Sequence, residues 1–192
     1  DVTLAEEVKR LATAVFGDAI SPRISQKRDW YQVYLTASEH LTHGKRNPIA
    51  AWLDDLGVFG LRSYEKHVPE KVFTQPASGV ARFLRHLWST DGCVHLGVGD
   101  NRIPRIYYAS SSERLCRDVE SLLLRLSINA RIVCVPQLGK GRNQFHVIIS
   151  GNPDIEAFIA KIGGLGVSKA RHEAVISREL VLTAANTNRD II

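Results

Sequence analysis

The sequence has few cysteines and no long apolar run. Its three cysteines, Cys93, Cys116 and Cys134, lie far apart without C-x-x-C spacing, which argues against a disulfide framework and against a zinc site. We therefore expect buried thiols in a reducing compartment. No stretch approaches the roughly 18 apolar residues of a membrane-spanning helix, and Asp1 to Arg10 lacks a basic-then-apolar leader. These absences predict a soluble, cytoplasmic protein.

The composition is that of an ordinary globular protein with a basic balance. Hydrophobic residues make up 44% of the chain and charged residues 23%. The formal net charge is +5 and the pI is about 9.3, which permits binding to nucleic acid or to another anionic surface. Many basic proteins bind no DNA, so net charge alone does not predict DNA binding. The distribution of the basic residues over the fold is the more informative feature.

The sequence contains an internal repeat, and a repeat fixes the architecture before any motif is interpreted. Three segments of the first half match three of the second half, with small loop insertions between them. The matched pairs are Leu4 to Leu11 with Leu115 to Leu122, Tyr31 to Thr36 with Phe145 to Ser150, and Ile49 to His67 with Ile155 to Glu173. Each repeat is therefore predicted to contain a helix, two strands and a second helix.

Apolar spacing predicts the helices and period-2 alternation predicts the strands. The stripes are Leu4, Val8, Leu11, Val15 in the first repeat and Leu115, Val119, Leu122, Leu126 in the second, with Asp1 and Ser111 or Ser112 as N-caps. In the strands, Tyr31, Val33, Leu35 alternate with Trp30, Gln32, Tyr34, and Phe145, Val147, Ile149 alternate with Gln144, His146, Ile148. One face of each sheet is expected to be core and the other to be solvated.

The second repeat has an additional segment before its Leu115 helix. A helix is predicted over Val80 to Thr90, followed by a hairpin of Val94 to Val98 and Arg105 to Ala109 around Gly99-Asp100-Asn101. We predict an α+β protein with a first repeat over residues 1–78 and a second over residues 79–192. The full αββαββα order is expected only in the second.

The end of this additional helix carries a candidate acidic site. Asp91 ends the helix and Gly92 follows it, and we expect the glycine to let the chain leave the helix sharply. Leu84 to Gly92 (LRHLWSTDG) resembles the nine-residue motif of LAGLIDADG homing endonucleases, with Leu84, Leu87 and Trp88 in register. In that family, two such helices pack side by side and each presents its acid to a divalent metal and a scissile phosphate. The resemblance implies Asp91 as a catalytic residue, Asp91 and Gly92 at a Mg²⁺ or Mn²⁺ site, and an apolar stripe facing a partner helix.

A second block supports the same resemblance. Lys66-His67-Val68-Pro69 is similar to the K-x-I-P block of intein endonucleases, which implies a catalytic role for Lys66. The equivalent place in the second repeat holds Lys169, Arg171 and His172. Any of the three could supply a basic group there.

Nearly the whole chain resembles endonuclease domains found in inteins of bacterial replicative helicases. The resembling stretches include YYASSSERLCRDVESLLLRLSINARI and the closing AANTNRDII. The resemblance implies site-specific double-strand cleavage of a long asymmetric DNA site. The first motif helix is missing from the sequence, so we expect a missing N-terminal intein segment to be a partner.

The expected DNA-binding surface is the solvated faces of two sheets that form a saddle, as the family resemblance implies. Arg and Gln side chains suit base edges, and basic loops suit phosphates. The candidates on the faces are Arg23, Ser25, Lys27, Gln32, Tyr34, His95, Arg105, Tyr107, Arg131, Gln144 and His146. The candidates in the loops are Lys45, Arg46, Lys140 and Arg142.

Two other functions remain open from the sequence. LAGLIDADG scaffolds also occur in transcription regulators and intron maturases, so a DNA-binding module that has lost catalysis is one alternative. A homodimer that pairs two Asp91 helices is the other. Fold alone does not decide between them.

Overall fold

The computed structural model describes residues 1–97, 103–139 and 141–182. The chain divides into two compact units, Asp1–Gly60 and Leu61–Ile192. Residues 61–78, which the sequence repeat assigns to the first half, thus pack within the second unit. The repeat boundary after residue 78 stays a prediction. In the described part of the chain, none of the helices has the length and apolar character needed to cross a membrane.

The first unit is a hairpin with two helices. Helix α1 (Val2–Phe16) leads through a 3-10 turn (Gly17–Ala19) into β1 (Ile20–Lys27) and β2 (Trp30–Ala37), and α2 (Pro48–Asp55) follows. The Asp1 side chain accepts a hydrogen bond from the backbone N of Thr3 at 2.9 Å, so the predicted N-cap is confirmed. The two strands pair antiparallel along their full lengths.

Helix α1 is only partly covered. Its buried residues are Ala5 and Ala12, whereas Val8 is 43% and Val15 65% exposed. The spacing of apolar residues therefore predicted the helix correctly, but part of its stripe lies outside the core.

The second unit contains the remaining elements around a four-stranded sheet. The helices are α3 (Glu70–Phe73), α4 (Ala77–Asp91), α5 (Glu113–Arg125), α6 (Asn152–Lys161) and α7 (Val167–Leu182). The strands are β3 (Gly92–Leu96), β4 (Pro104–Ser110), β5 (Arg131–Val135) and β6 (Gln144–Ile149). They are antiparallel in the order β3-β4-β6-β5.

The predicted α+β fold is confirmed, and so is the αββαββα order from α4 to α6. Ser112 is the N-cap of α5 and accepts from the backbone N of Leu115 at 3.1 Å. The predicted turn Gly99-Asp100-Asn101 lies outside the described residues.

The core of the second unit is formed by the sheet and by helices α4, α5, α6 and α7. Leu84 and Trp88 of α4 are fully buried in it, and the Trp88 ring lies 5.1 Å from Phe158 and 5.7 Å from Tyr108. The expectation that Leu84, Leu87 and Trp88 face a partner helix is therefore wrong for Leu84 and Trp88. Trp88 faces inward, where Tyr108 of the sheet and Phe158 of α6 contact its ring, and Leu84 is buried in the same core. Leu87 is half-buried.

The cysteines differ in burial. Cys116 is buried and its thiol donates to the carbonyl oxygen of Phe145 at 3.2 Å. Burial raises its pKa to about 11. Cys134 on the edge strand β5 is exposed and Cys93 is half-buried, so the expectation of buried thiols is right only for Cys116.

Candidate functional site

The strand register of the second unit places the six candidate residues of its sheet on one face. Opposed residues of antiparallel strands point to the same side, and alternate residues along a strand do too. The opposed pairs on this face are Cys93 with Tyr107, His95 with Arg105, Tyr107 with Ile148, Ala109 with His146, Arg131 with Ile148 and Val135 with Gln144. We call this side the outer face.

The other face of the same sheet is the core. Val94, Ile106, Tyr108, Val147 and Ile149 are all buried. Because the two sets alternate along the strands, the outer face lies away from the core. The period-2 pattern therefore separated the two faces correctly.

Aromatic side chains on the outer face contact one another. The rings of Tyr107 and His146 stack with centroids 5.1 Å apart and an interplanar angle of 5°, and His146 Nε2 lies 3.3 Å from Gln144 Oε1. His95 meets His172 of α7 edge-on at 5.0 Å. Tyr107 and His146 thus form a stacked platform between Arg105 and Gln144.

Cys93 also belongs to the outer face, although sequence reasoning missed it as a site residue. It is opposed to Tyr107, and the electrostatic interaction with Cys93 raises the pKa of Tyr107. Extending the alternation of β3 back by two residues from His95 would have found it. Ile148, Val133 and Val135 give the same face an apolar component.

The hairpin of the first unit groups its candidates in the same way. Arg23 is opposed to Tyr34, Ser25 to Gln32 and Lys27 to Trp30, so these side chains share one face. The Arg23 guanidinium lies 4.4 Å from the centre of the Tyr34 ring, and the Tyr34 hydroxyl donates to Gln32 Oε1 at 2.9 Å.

The loop candidates have different surroundings. Lys45 is exposed. Arg46 is ion-paired with Asp54, so a phosphate that binds Arg46 must share its guanidinium with Asp54 or displace that carboxylate. The Arg142 guanidinium lies 3.7 Å from the centre of the Tyr64 ring. Lys140 lies outside the described residues.

Helix α4 ends at the exposed Asp91, as predicted. Gly92 has φ −87° and ψ 151°, which is extended backbone, so the expected sharp exit does not explain the glycine. A Cβ at this position would lie 2.7 Å from Trp88 Cα and closer still to the ring atom Cδ1. The glycine is needed because β3 starts directly against the buried tryptophan.

Of the three basic candidates after α6, Lys169 is the one at the end of α4. Its Nζ donates to the carbonyl oxygens of Trp88 and Ser89. Burial lowers the pKa of Lys169, and interactions with Cys93, Asp91 and Glu173 oppose that shift. His172 contacts His95, and Arg171 is exposed on α7.

The loop that carries Lys66 is fixed to the second unit. The Ser112 hydroxyl donates to the Lys66 carbonyl oxygen at 2.6 Å, and the backbone N of the buried Val68 donates to Asp118 Oδ2 at 3.0 Å. The Lys66 side chain is exposed. Within the described ranges, no hydrogen bond or ion pair joins Lys66 to Asp91.

The sheet register relates Asp91 to the Lys66 loop. Strand β3 begins after Asp91, β4 ends at Ser110 shortly before Ser112, and Ser110 is opposed to Phe145 at the start of β6. Asp91, the Lys66 loop and the β5–β6 connection with Arg142 therefore lie at one end of the sheet. Neighbouring strands are about 4.8 Å apart, so these three groups lie side by side along that end.

Asp91 fits a divalent metal as a single ligand. Across the part of the chain that the structure describes, no group of three or more His, Cys, Asp or Glu side chains could hold a metal. Mg²⁺ is often bound by one or two carboxylates, with water and phosphate completing its shell. Gly92, also predicted at the metal, has only its backbone carbonyl to offer.

Comparison with known proteins gives a family match. Residues 78–163 match the model of the LAGLIDADG-like domain. The chain is 56% identical to the replicative DNA helicase DnaB of Synechocystis sp. over 191 residues, which are 100% of this chain and 22% of that protein. It is also 56% identical to the DnaB of Nostoc sp. over 192 residues, or 22% of that protein. Against the DnaB of Rhodothermus marinus the identity is 52% over 192 residues, or 20% of that protein.

The chain therefore contains a LAGLIDADG-like domain, and these matches confirm the resemblance stated from the motifs. The matched domain begins in α4 and ends just after α6, so it covers the acidic helix end and the four-stranded sheet. The chain spans about a fifth of the length of the helicases that it matches.

Proposed function

This chain contains a LAGLIDADG-like domain, and we propose that it is the DNA-binding and DNA-cleaving part of an intein in a replicative helicase. Its substrate is a long asymmetric duplex site where the intein is inserted, and it acts in the cytoplasm. The match to about a fifth of the length of DnaB proteins supports an inserted segment of this kind.

One observation carries the proposal more than any other. The outer face of the second sheet presents Arg105, Arg131, Gln144 and His146 together, and the same sheet begins directly after the exposed Asp91. Arg and Gln read guanine and adenine edges in the major groove through paired hydrogen bonds. A surface for base recognition is thus continuous with an acid suited to phosphodiester cleavage.

The chain's own groups would divide the reaction between them. Asp91 would hold Mg²⁺ or Mn²⁺, and the metal supplies Lewis-acid stabilisation of the charge that develops on phosphate oxygens. Lys169 holds the end of α4 through two carbonyl oxygens and so fixes where Asp91 leaves the helix. Lys66 lies at the same end of the sheet, where its ammonium group can bind a phosphate of the bound strand.

The binding part is tested with duplex DNA containing the uninterrupted host sequence. Each phosphate contact releases counterions, so the log of the affinity should fall linearly and steeply with the log of salt concentration. Arg105→Glu should weaken specific binding by about 10-fold or more, since a bidentate base contact is worth roughly 1–3 kcal/mol. Arg82→Glu, an equal charge change at an exposed residue of α4 nine residues before Asp91, is the matched control. Equal losses for both variants, or an affinity independent of salt, would refute the outer face as the DNA surface.

The cleaving part is tested by adding a segment that carries a first motif helix and a supercoiled plasmid with the target site. Asp91→Asn should abolish Mg²⁺-dependent cleavage and leave binding nearly intact, because it keeps the shape and removes the charge. The chain without the added segment should linearise plasmid poorly, since one acid leaves the metal underliganded. Efficient linearisation by the chain alone would favour a homodimer.

A DNA-binding module without catalysis is the second candidate. It is favoured by the single carboxylate at the end of α4 and by the lack of a three-ligand cluster among residues 1–97, 103–139 and 141–182. Wild-type binding without cleavage in the presence of the added segment would support it.

A further inference from the structure

We propose that Arg62, Tyr64 and Arg142 form a clamp for a DNA phosphodiester at the end of the second sheet. Arg142 comes from the β5–β6 connection, and Arg62 and Tyr64 come from the loop before α3. The inference rests on the proposed function, because it assigns a group of the duplex to a place beside the proposed base-reading face. Neither Arg62 nor Tyr64 stood out in the sequence.

Tyr64 contacts both arginines. The Arg142 guanidinium lies over its ring at 3.7 Å from the centre, and Arg62 Nη1 donates to its hydroxyl oxygen at 3.3 Å. A guanidinium that stacks on an aromatic ring uses its face, whereas its N–H donors lie in its plane. Stacking therefore orients Arg142 and leaves its donors able to bind two oxygens of one phosphate.

The loop that carries Tyr64 is held in place before any ligand binds. The turn from Arg62 to Glu65 is closed by Glu65 N donating to Arg62 O at 2.9 Å and Arg62 N donating to Glu65 Oε2 at 2.9 Å. Farther along, Ser112 binds the Lys66 carbonyl and Val68 is buried. A fixed tyrosine restricts the Arg142 side chain and so lowers the entropy lost on binding.

The position of the clamp fits a backbone contact. Arg142 lies two residues before Gln144, which is on the outer face at the start of β6. In this arrangement the outer face contacts base edges along the sheet. The clamp lies at the end of the sheet, where the backbone of the bound DNA strand would pass. Asp91 lies at the same end, beyond β4, so the clamp would also help to set the register of the DNA relative to the acid.

A double-mutant cycle on the whole chain tests this role. Fluorescence anisotropy gives the affinity for duplex DNA over a range of salt for wild type, Tyr64→Leu, Arg142→Leu and the double variant. Arg142→Leu should reduce the salt slope by about 1. Tyr64→Leu should weaken binding by about 2- to 5-fold, the range of an exposed cation–π contact, and should add little once Arg142 is replaced.

Conservative variants separate orientation from charge and from folding. Tyr64→Phe keeps the stacked ring and should retain most of the Arg142 contribution, whereas Arg142→Lys keeps the charge but loses the planar fork and should weaken binding. Arg82→Leu on α4 is the control for loss of one positive charge, and thermal melting checks that each variant is folded. If the wild type binds DNA in a salt-dependent way but the effects of Tyr64→Leu and Arg142→Leu are additive, the clamp is refuted and the proposed function is not. If the wild type shows no salt-dependent DNA binding, the proposed function fails and the clamp fails with it.

Discussion

The contact between Gly92 and Trp88 joins the core to the acidic end of α4. Trp88 fills the space between α4, the sheet and α6, with Tyr108 and Phe158 against its ring. Strand β3 starts so close to this ring that no side chain fits at its first residue. The exit direction of the chain after Asp91 therefore depends on a packing contact, not on a left-handed turn.

Gly92→Ala should lower the free energy of unfolding by about 2 kcal/mol or more, as expected for overpacking against a rigid core. The added Cβ would meet Trp88 backbone and ring atoms at 2.7 Å or less. Urea unfolding measures the change, and Gly79→Ala in helix α4 is the matched control. There the nearest atom is the Cβ of the exposed Gln75 side chain at 3.0 Å, and alanine is the better helix former. Equal stability of the two variants would contradict the account of Gly92.

At the scale of elements, the end of α4 is attached to α7 and to the turn before it. Ser89 Oγ accepts from the backbone N of Leu165 at 2.7 Å, and Glu173 Oε1 accepts from the backbone N of Gly164 at 2.6 Å. Together with Lys169, these groups fix α7 beside the acidic end of the motif helix. Sequence reasoning proposed Lys169 as a basic group but assigned no helix to this region.

Glu173→Gln should change how stability depends on pH. Burial raises the pKa of Glu173 above 4.5, so the folded state binds its proton more tightly than the unfolded state. The stability from this proton is fully present below pH 4.5 and is lost as pH rises through the higher pKa of the folded state. The glutamine side chain of the variant would keep the acceptor for Gly164 but would not titrate.

The wild type should therefore lose stability relative to Glu173→Gln as the pH is raised above about 4.5. Thermal melting of both proteins across this range measures the difference. Glu6→Gln on the exposed side of α1 is the control. A constant difference between wild type and Glu173→Gln at every pH would mean that the side chain does not titrate in this way.

Local patterns predicted the sheet faces, but not how the helices pack. Alternation in β1 to β6 depends only on the strand geometry, so every described candidate on the sheets lies on the predicted face. Helix α4 has apolar residues on more than one side. The spacing of these residues therefore could not predict whether Leu84 and Trp88 face the core of their own unit or a partner helix. Likewise, the attachment of the Lys66 loop to Ser112 joins residues 46 apart in sequence, which no local signal encodes.

For the whole molecule, the two units differ in how much apolar surface they bury. The first unit has only Ala5, Ala12 and Ile20 as buried apolar residues, whereas the second has a continuous core from Val68 to Leu180. Val119 of α5 and its C-cap Leu126, which match the exposed Val8 and Val15 of α1, are buried. In the second unit α4, β3 and β4 accompany α5, and the described residues of the first unit contain no counterpart of them.

The first unit should therefore unfold before the second in urea. A unit of about 60 residues buries a smaller fraction of its surface than a larger one and is marginally stable by itself, and its small buried residues add little apolar area. The tryptophans report on the units separately, because Trp30 and Trp52 belong to the first and Trp88 to the second. Trp52 packs edge-on against Phe16 at 5.7 Å, so its fluorescence follows the packing of α1 on α2.

In a variant with Trp30→Phe and Trp52→Phe, the tryptophan fluorescence comes from Trp88 alone and reports on the second unit. The difference between the wild-type fluorescence and that of the variant reports on the first unit, and the buried Trp88 is unchanged in both. We expect the unfolding midpoint of the first unit to lie roughly 1 M urea or more below the midpoint reported by Trp88. The midpoint is the free energy of unfolding divided by the urea dependence of that free energy, about 1–3 kcal/mol per M, and we expect the two units to differ in free energy by a few kcal/mol. A far-ultraviolet circular dichroism trace of the wild type should then show two steps. Superimposed transitions from both reporters would instead mean that the two units unfold as one cooperative body, and the small core of the first unit would not limit its stability.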